Sequence, residues 1–114
     1  MARTKGDLLQ GTLGMLILKA LAAKDLHGYG IARWIEEVSK QSLSIEEGSL
    51  YPGLRRLEDR GWVESEWTLS DTGRRVRVYS LTRQGRSQLK DEASIWLEFA
   101  KGITLVLRSE PSLA

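Results

Sequence analysis

The chain has 114 residues, of which 41% are hydrophobic and 28% charged; this is the composition of a single globular domain and not of a disordered segment. It has no cysteine and one histidine, His27, which excludes a disulfide framework, thiol chemistry and a zinc site of the usual Cys/His kind. Its 17 basic and 15 acidic residues leave a net charge of +2, too balanced to name a partner.

In chain order, Leu9, Leu13, Leu16 and Ala20 recur at helical spacing with Ile17 and Leu21 beside them, which predicts a first helix. Met15 and Leu18 widen its apolar side, so it should be largely buried. Its apolar stretch, Leu13 to Leu18, is six residues long and stops at Lys19. A secretory core needs roughly 7–15 residues and a membrane span roughly 20. The stretch therefore reads as part of a mature, cytoplasmic protein with no membrane partner.

Gly28 and Gly30 in "KDLHGYG" punctuate the pattern. A second helix follows, with Ile31, Trp34, Ile35 and Val38 on one side and Arg33, Glu36 and Glu37 on the other. Ser44 and Glu47 have the spacing of a capping box, which predicts a third helix from Ile45 that ends by Gly61. In this helix Leu50, Leu54 and Leu57 turn inward, while Gly48, Pro52, Arg55, Arg56 and Asp59 face out and Ser49 and Tyr51 lie on the flanks. A proline in a helix interior costs roughly 3 kcal/mol. Either a kink, a fresh turn capped by Ser49, or a late helix start would relieve it.

Beyond Gly61 the period changes to two. "WVESEWT" and "RRVRVYSL" alternate as strands around the turn "LSDTG", with Val76 and Val78 on one face, which predicts a β-hairpin. Thr82 can cap a last helix that runs to about Leu107. Along it Leu89, Ala93, Trp96, Ala100, Ile103 and Leu107 repeat as a heptad-like seam, flanked by Ile95, Phe99 and Val106. The seam suits pairing with a second copy, and packing within one chain is the alternative.

Three helices, a hairpin and a long helix make a mostly α fold: a winged helix-turn-helix plus a C-terminal dimerisation helix. The expected division is 1–82 for the DNA-binding domain, 83–107 for the dimerisation helix and 108–114 for a tail. Catalysis finds little support. His27 beside Gly28 suits a capping position, Glu46 and Glu47 point about 100° apart, and no phosphate-cradling loop is present. No metal or cofactor is expected.

DNA binding fits the residues better. A recognition helix enters the major groove by its N-terminal part, where small residues permit close approach. Ser49 and Tyr51 can donate to phosphates or bases, and Arg55 or Arg56 can reach phosphate or guanine. From Arg74 to Lys90 there are six basic residues and no acidic one. Of these, Arg74, Arg75 and Arg77 stand where a wing meets the DNA backbone or minor groove. A solvated ribbon would carry the same arginines. A protein-interaction module without operator specificity would share the fold, although the arginine-rich, acid-free return strand of the wing argues against it.

The runs "LHGYGIARWI", "GSLYPGLRRLEDRGWVESEW" and "RRVRVYSLTRQG", with the C-terminal helix, resemble the PadR-like transcriptional regulators over most of residues 8–107. The resemblance implies a homodimeric repressor on double-stranded DNA with a two-fold operator. It implies that Tyr29 sits near phosphate, that Ser49, Tyr51, Pro52, Arg55 and Arg56 lie on the recognition helix, and that Arg74 and Arg75 lie in the wing. In some relatives aromatic residues of the last helix line a cavity for phenolic or flat hydrophobic effectors that weaken DNA affinity. Trp96 and Phe99 match those residues only in type and region, and a tryptophan on such a seam is more often a packing residue. The chain departs from the family pattern at Gly53, where a better helix former is usual.

Overall fold

Helix α1, Leu13–Ala23, forms the centre of the core: Leu13, Ile17, Leu18, Ala20 and Leu21 are all buried. The computed structural model describes residues 12–111, so the expected contribution of Leu9 lies outside the described residues. Around α1 stand β1 (Leu26–His27), α2 (Gly28–Val38), α3 (Glu47–Asp59), β2 (Val63–Leu69), β3 (Arg75–Leu81) and α4 (Arg83–Leu107). Ile31, Ile35, Ile45, Leu50, Leu54, Leu57, Val63, Tyr79 and Leu89 complete the core.

The expected hairpin is part of a three-stranded antiparallel sheet in the order β1-β3-β2. Leu26 pairs with Tyr79 and His27 with Val78 on one side of β3, while β2 pairs from Val63↔Leu81 to Leu69↔Arg75 on the other. A strand of two residues is too short to show a period, which is why the sequence pattern hides it. The glycines that punctuate "LHGYG" are not loop residues. Both lie in the first turn of α2, where the His27 side chain accepts from the Gly30 backbone N–H at 3.0 Å. Val38, expected to face inward, is exposed, because the last turn of α2 runs past the core.

Helix α3 begins at Glu47, two residues later than its sequence suggests, and Ser44 forms no capping box. The N–H of Ile45 instead donates to Glu36 Oε2 at 3.2 Å, and the Ile45 side chain is buried. Those two attachments hold residues 44–46 outside the helix. The helix then runs without interruption through Pro52, so no fresh turn starts at Ser49. Lacking an N–H, Pro52 leaves one carbonyl, that of Gly48, without its intrahelical partner, and Gly48 is exposed where water can serve. At the far end Gly61 has a φ of +77°, its N–H reaches Glu58 O, and the Trp62 N–H reaches Leu57 O, both at 3.0 Å. This is a Schellman closure, which needs a left-handed residue at Gly61.

In the sheet the deepest side chain of β3 is Tyr79, not Val76 or Val78, which are half-buried. The Thr82 side chain caps α4 by accepting from the Gly85 N–H at 3.0 Å and donates to the Gly61 carbonyl at 2.7 Å. Helix α4 is about 37 Å long at 1.5 Å per residue. Its last fully buried residue is Leu89. As far as Phe99 the helix still borders α1 and α3, and beyond that it projects from the body, so the described residues extend over 63 × 26 × 25 Å. None of the described helices is long and apolar enough to cross a membrane.

Candidate nucleic-acid interface

Burying Leu50, Leu54 and Leu57 against α1 fixes which side of α3 faces out. Gly48, Pro52, Arg55, Arg56 and Asp59 are exposed, and Ser49 is half-buried on one flank. The two arginines do not point the same way. Arg55 shares a surface hollow with Tyr51, Glu58, Asp59, Arg77 and Tyr79, on the flank facing the sheet. Arg56 lies on the opposite flank, along a groove it shares with Gly14, Gly53, Trp96 and Phe99. Gly53 is buried there: a Cβ would stand 3.4 Å from Ile17 Cδ1 and 3.7 Å from Leu13 Cδ2. A Cβ there would make ordinary van der Waals contact with α1, so packing does not explain the departure at Gly53.

The sheet places the wing beside the Tyr51 flank. At its tip the Ser70 N–H donates to Arg74 O at 2.8 Å and Gly73 takes a φ of +81°, leaving the Arg74 and Arg75 side chains exposed. The Arg75 guanidinium lies 4.7 Å from the centre of the Trp67 ring, an arrangement that holds the charge at a defined height over the wing. Arg77 differs from its neighbours. Its guanidinium is held by Glu58 of α3 at 3.1 Å and by Ser65 of β2 at 2.7 Å. Among the described residues, the side chains of Arg55, Arg56 and Arg74 have no comparable hydrogen bond or ion pair.

A third element closes the surface. Tyr29, in the first turn of α2, is 61% exposed, and its hydroxyl accepts from Arg33 Nη1 at 3.0 Å. That hydrogen bond, and then the ion pair with Glu37, holds the Arg33 guanidinium further above its ordinary pKa. Tyr29 stacks on His27 with ring centres 6.3 Å apart. His27, Tyr29, Tyr51, Trp67, Arg75 and Arg77 border one concavity between α2, α3 and the sheet. Its floor includes Tyr79, whose phenol is pushed above its usual pKa by burial, with Arg77 opposing and Glu58 and Tyr51 reinforcing the shift.

Two contributors were missed in the sequence. Trp67 pairs directly with Arg77 across the strands, a relation available from the hairpin register once its turn is fixed. Glu58 lies 19 residues from Arg77, too far for any local pattern to join them. On α4, Leu89 is already buried in its own protomer, and Ala93 and Ala100 are half-buried. Trp96, Phe99, Ile103 and Leu107 remain 44%, 66%, 43% and 78% exposed.

A helical core, an outward-facing third helix and, beside it, a two-stranded wing whose tip and return strand carry Arg74, Arg75 and Arg77 define a winged helix-turn-helix DNA-binding protein. Comparison with known proteins makes the assignment specific. The chain belongs to the transcriptional regulator PadR-like family, whose pattern it matches over residues 17–91. It is 35% identical over 88 residues to a transcriptional regulator of Mycobacterium tuberculosis, covering 76% of this chain and 78% of that one. It is 32% identical over 75 residues to the negative transcriptional regulator PadR of Bacillus subtilis, covering 66% of this chain but 41% of that longer protein. A transcriptional regulator from Clostridium thermocellum has the same architecture, with a TM-score of 0.77 at 28% identity over 86% of this chain and 95% of the other. The family is one of transcriptional regulators and not of enzymes, and the chain is a DNA-binding regulator of that kind.

Proposed function

We propose that this regulator is a cytoplasmic homodimeric repressor that binds a two-fold operator and is released by a flat aromatic or phenolic compound. The observation that carries the dimer is the α4 arm. Trp96 and Phe99 at the edge of the body, and Ile103 and Leu107 beyond it, keep much of their apolar surface uncovered. A second copy arranged about a two-fold axis would cover them and place two recognition helices on one face of the DNA, with half-sites about 34–36 Å apart. In this reading residues 1–82 form the DNA-binding domain, 83–107 the dimerisation helix and 108–114 a tail.

On each half-site the crest of α3 enters the major groove. Gly48 and Pro52 allow close approach, Ser49 and Tyr51 donate to phosphates or base edges, and Arg55 and Arg56 supply charge on the two flanks. Arg74 and Arg75 grip the backbone from the wing, and Tyr29 meets a phosphate at the start of α2. Repression is supported by the negative regulation that the name of the Bacillus subtilis relative states. The effector reading is supported by the groove in which Trp96 and Phe99 adjoin Arg56 and Gly53 of the recognition helix. A ligand there would press directly on α3.

Selecting bound fragments from the source genome and measuring the mass of the complexes tests this function. Two protomers on a palindromic promoter fragment is the expected result. One protomer per fragment, or no enrichment of promoters, would contradict it. Saturable quenching of tryptophan fluorescence by planar aromatics, lost on Trp96→Ala, is expected if the effector reading holds.

A further inference from the structure

Glu58, Ser65 and Arg77 form a closed ring of hydrogen bonds between the recognition helix and the wing. The Ser65 hydroxyl donates to Glu58 Oε2 at 2.7 Å and accepts from Arg77 Nε at 2.7 Å. Arg77 Nη2 donates to both Glu58 carboxylate oxygens, at 3.3 and 3.1 Å. The guanidinium also lies 5.8 Å from the centre of the Trp67 ring and 5.9 Å from that of Tyr79. Each partner comes from a different element: Glu58 from α3, Ser65 from β2, Arg77 from β3.

A bridge this exposed, with side chains 43% and 30% accessible, adds little to folding stability. Its geometry has a larger consequence. A planar guanidinium held by three donor contacts fixes direction as well as distance. The part of α3 that carries Arg55 and the wing that carries Arg74 must meet DNA simultaneously, and the angle between them decides whether both do. Fixing that angle before binding removes an ordering cost from association.

We infer that the Glu58–Ser65–Arg77 ring is a clasp that sets the wing at its working angle to the recognition helix. Arg77 is therefore a positioning residue and not a phosphate contact, and Glu58 favours DNA binding despite its negative charge. The inference rests on the reading of α3 and the wing as the DNA surface.

The sign of one substitution separates the possibilities. Glu58→Gln removes a negative charge from the DNA-facing side, and with it the ion pair and one of the two acceptor oxygens that hold Arg77, so charge alone predicts tighter binding. The clasp predicts weaker operator binding, by roughly five- to thirty-fold. It also predicts unchanged or tighter binding to non-specific DNA and an unchanged melting temperature. Ser65→Ala, which alters no charge and removes only the bridging hydroxyl, should lower operator binding in the same direction. In a double-mutant cycle, Glu58→Gln combined with Arg77→Gln should lose no more operator affinity than either substitution alone. Unchanged or tighter operator binding by Glu58→Gln, or additive losses in the cycle, would overturn the clasp. Arg55→Ala and Arg74→Ala in the same titration test the DNA surface separately: if neither has an effect, that reading fails whatever Glu58→Gln does.

Discussion

The ring of Tyr51 lies directly on the backbone of Gly28: a Cβ added to Gly28 would stand 2.7 Å from both the hydroxyl and Cε1 of Tyr51. One glycine at the start of α2 thus sets the position of an aromatic donor on the recognition helix. A Gly28→Ala substitution should displace the Tyr51 ring, which is 45% exposed and free to move outward. Folding stability should change little, because the atoms that yield are the far end of a flexible side chain. Operator affinity should fall by about 1 kcal/mol, the scale of one lost hydrogen bond. Parallel melting and DNA-binding curves check this. A large fall in melting temperature with intact binding would show that the contact serves the fold alone.

Gly85 presents the opposite case. Its added Cβ would meet the Trp62 carbonyl and the Leu81 side chain, and the carbonyl belongs to backbone that cannot turn aside. Gly85→Ala should therefore destabilise the domain by about 3 kcal/mol, at the upper end of overpacking costs. Chemical denaturation measures this, and a loss below about 1 kcal/mol would mean that α4 can shift its seat freely.

Thr82 joins the same corner by capping α4 and by holding the Gly61 carbonyl at 2.7 Å. Thr82→Ala should cost about 1–2 kcal/mol, and Thr82→Ser should recover most of it. Equal losses for the two variants would place the effect in the methyl group.

The alkaline limb of stability should depend on Tyr79. Its folded pKa is raised, chiefly by burial, above the ordinary phenol value of about 10. The folded state therefore retains the proton more strongly than the unfolded state. The associated stability is complete below about pH 10 and is lost as pH rises through the folded value. Tyr79→Phe should flatten the decline of stability above pH 10. An identical decline in that variant would assign it to other groups.

The uncovered end of α4 predicts the assembly. Ile103→Asp places a charge in the seam and should convert the dimer to monomer in sedimentation experiments, with the helical content of the body retained. A dimer that persists would show that other surfaces hold the two copies together.

These residues also show what was legible in the sequence. The bounds of α4 were readable because Thr82 caps it and the apolar repeat ends at Leu107, both local signals. The inward leucines of α3 were readable because Leu50, Leu54 and Leu57 share one helical face. The start of α3 was not, since the contact that delays it joins Ile45 to Glu36 across the preceding loop. That Arg55 and Arg56 face outward was apparent. Their separation onto different flanks depends on where the sheet and α4 pack, which no spacing within α3 encodes. Glu58 and Arg77 are remote in sequence and meet only because β3 returns beside α3.

The most direct test is a titration of operator DNA with the parent protein, Arg55→Ala and Arg74→Ala across a series of salt concentrations. Arg55→Ala should cost roughly 1–3 kcal/mol and relax sequence discrimination. Arg74→Ala should weaken all sequences alike and reduce the salt slope by about one. If neither substitution weakens binding at any salt concentration, α3 and the wing are not the surface that holds DNA.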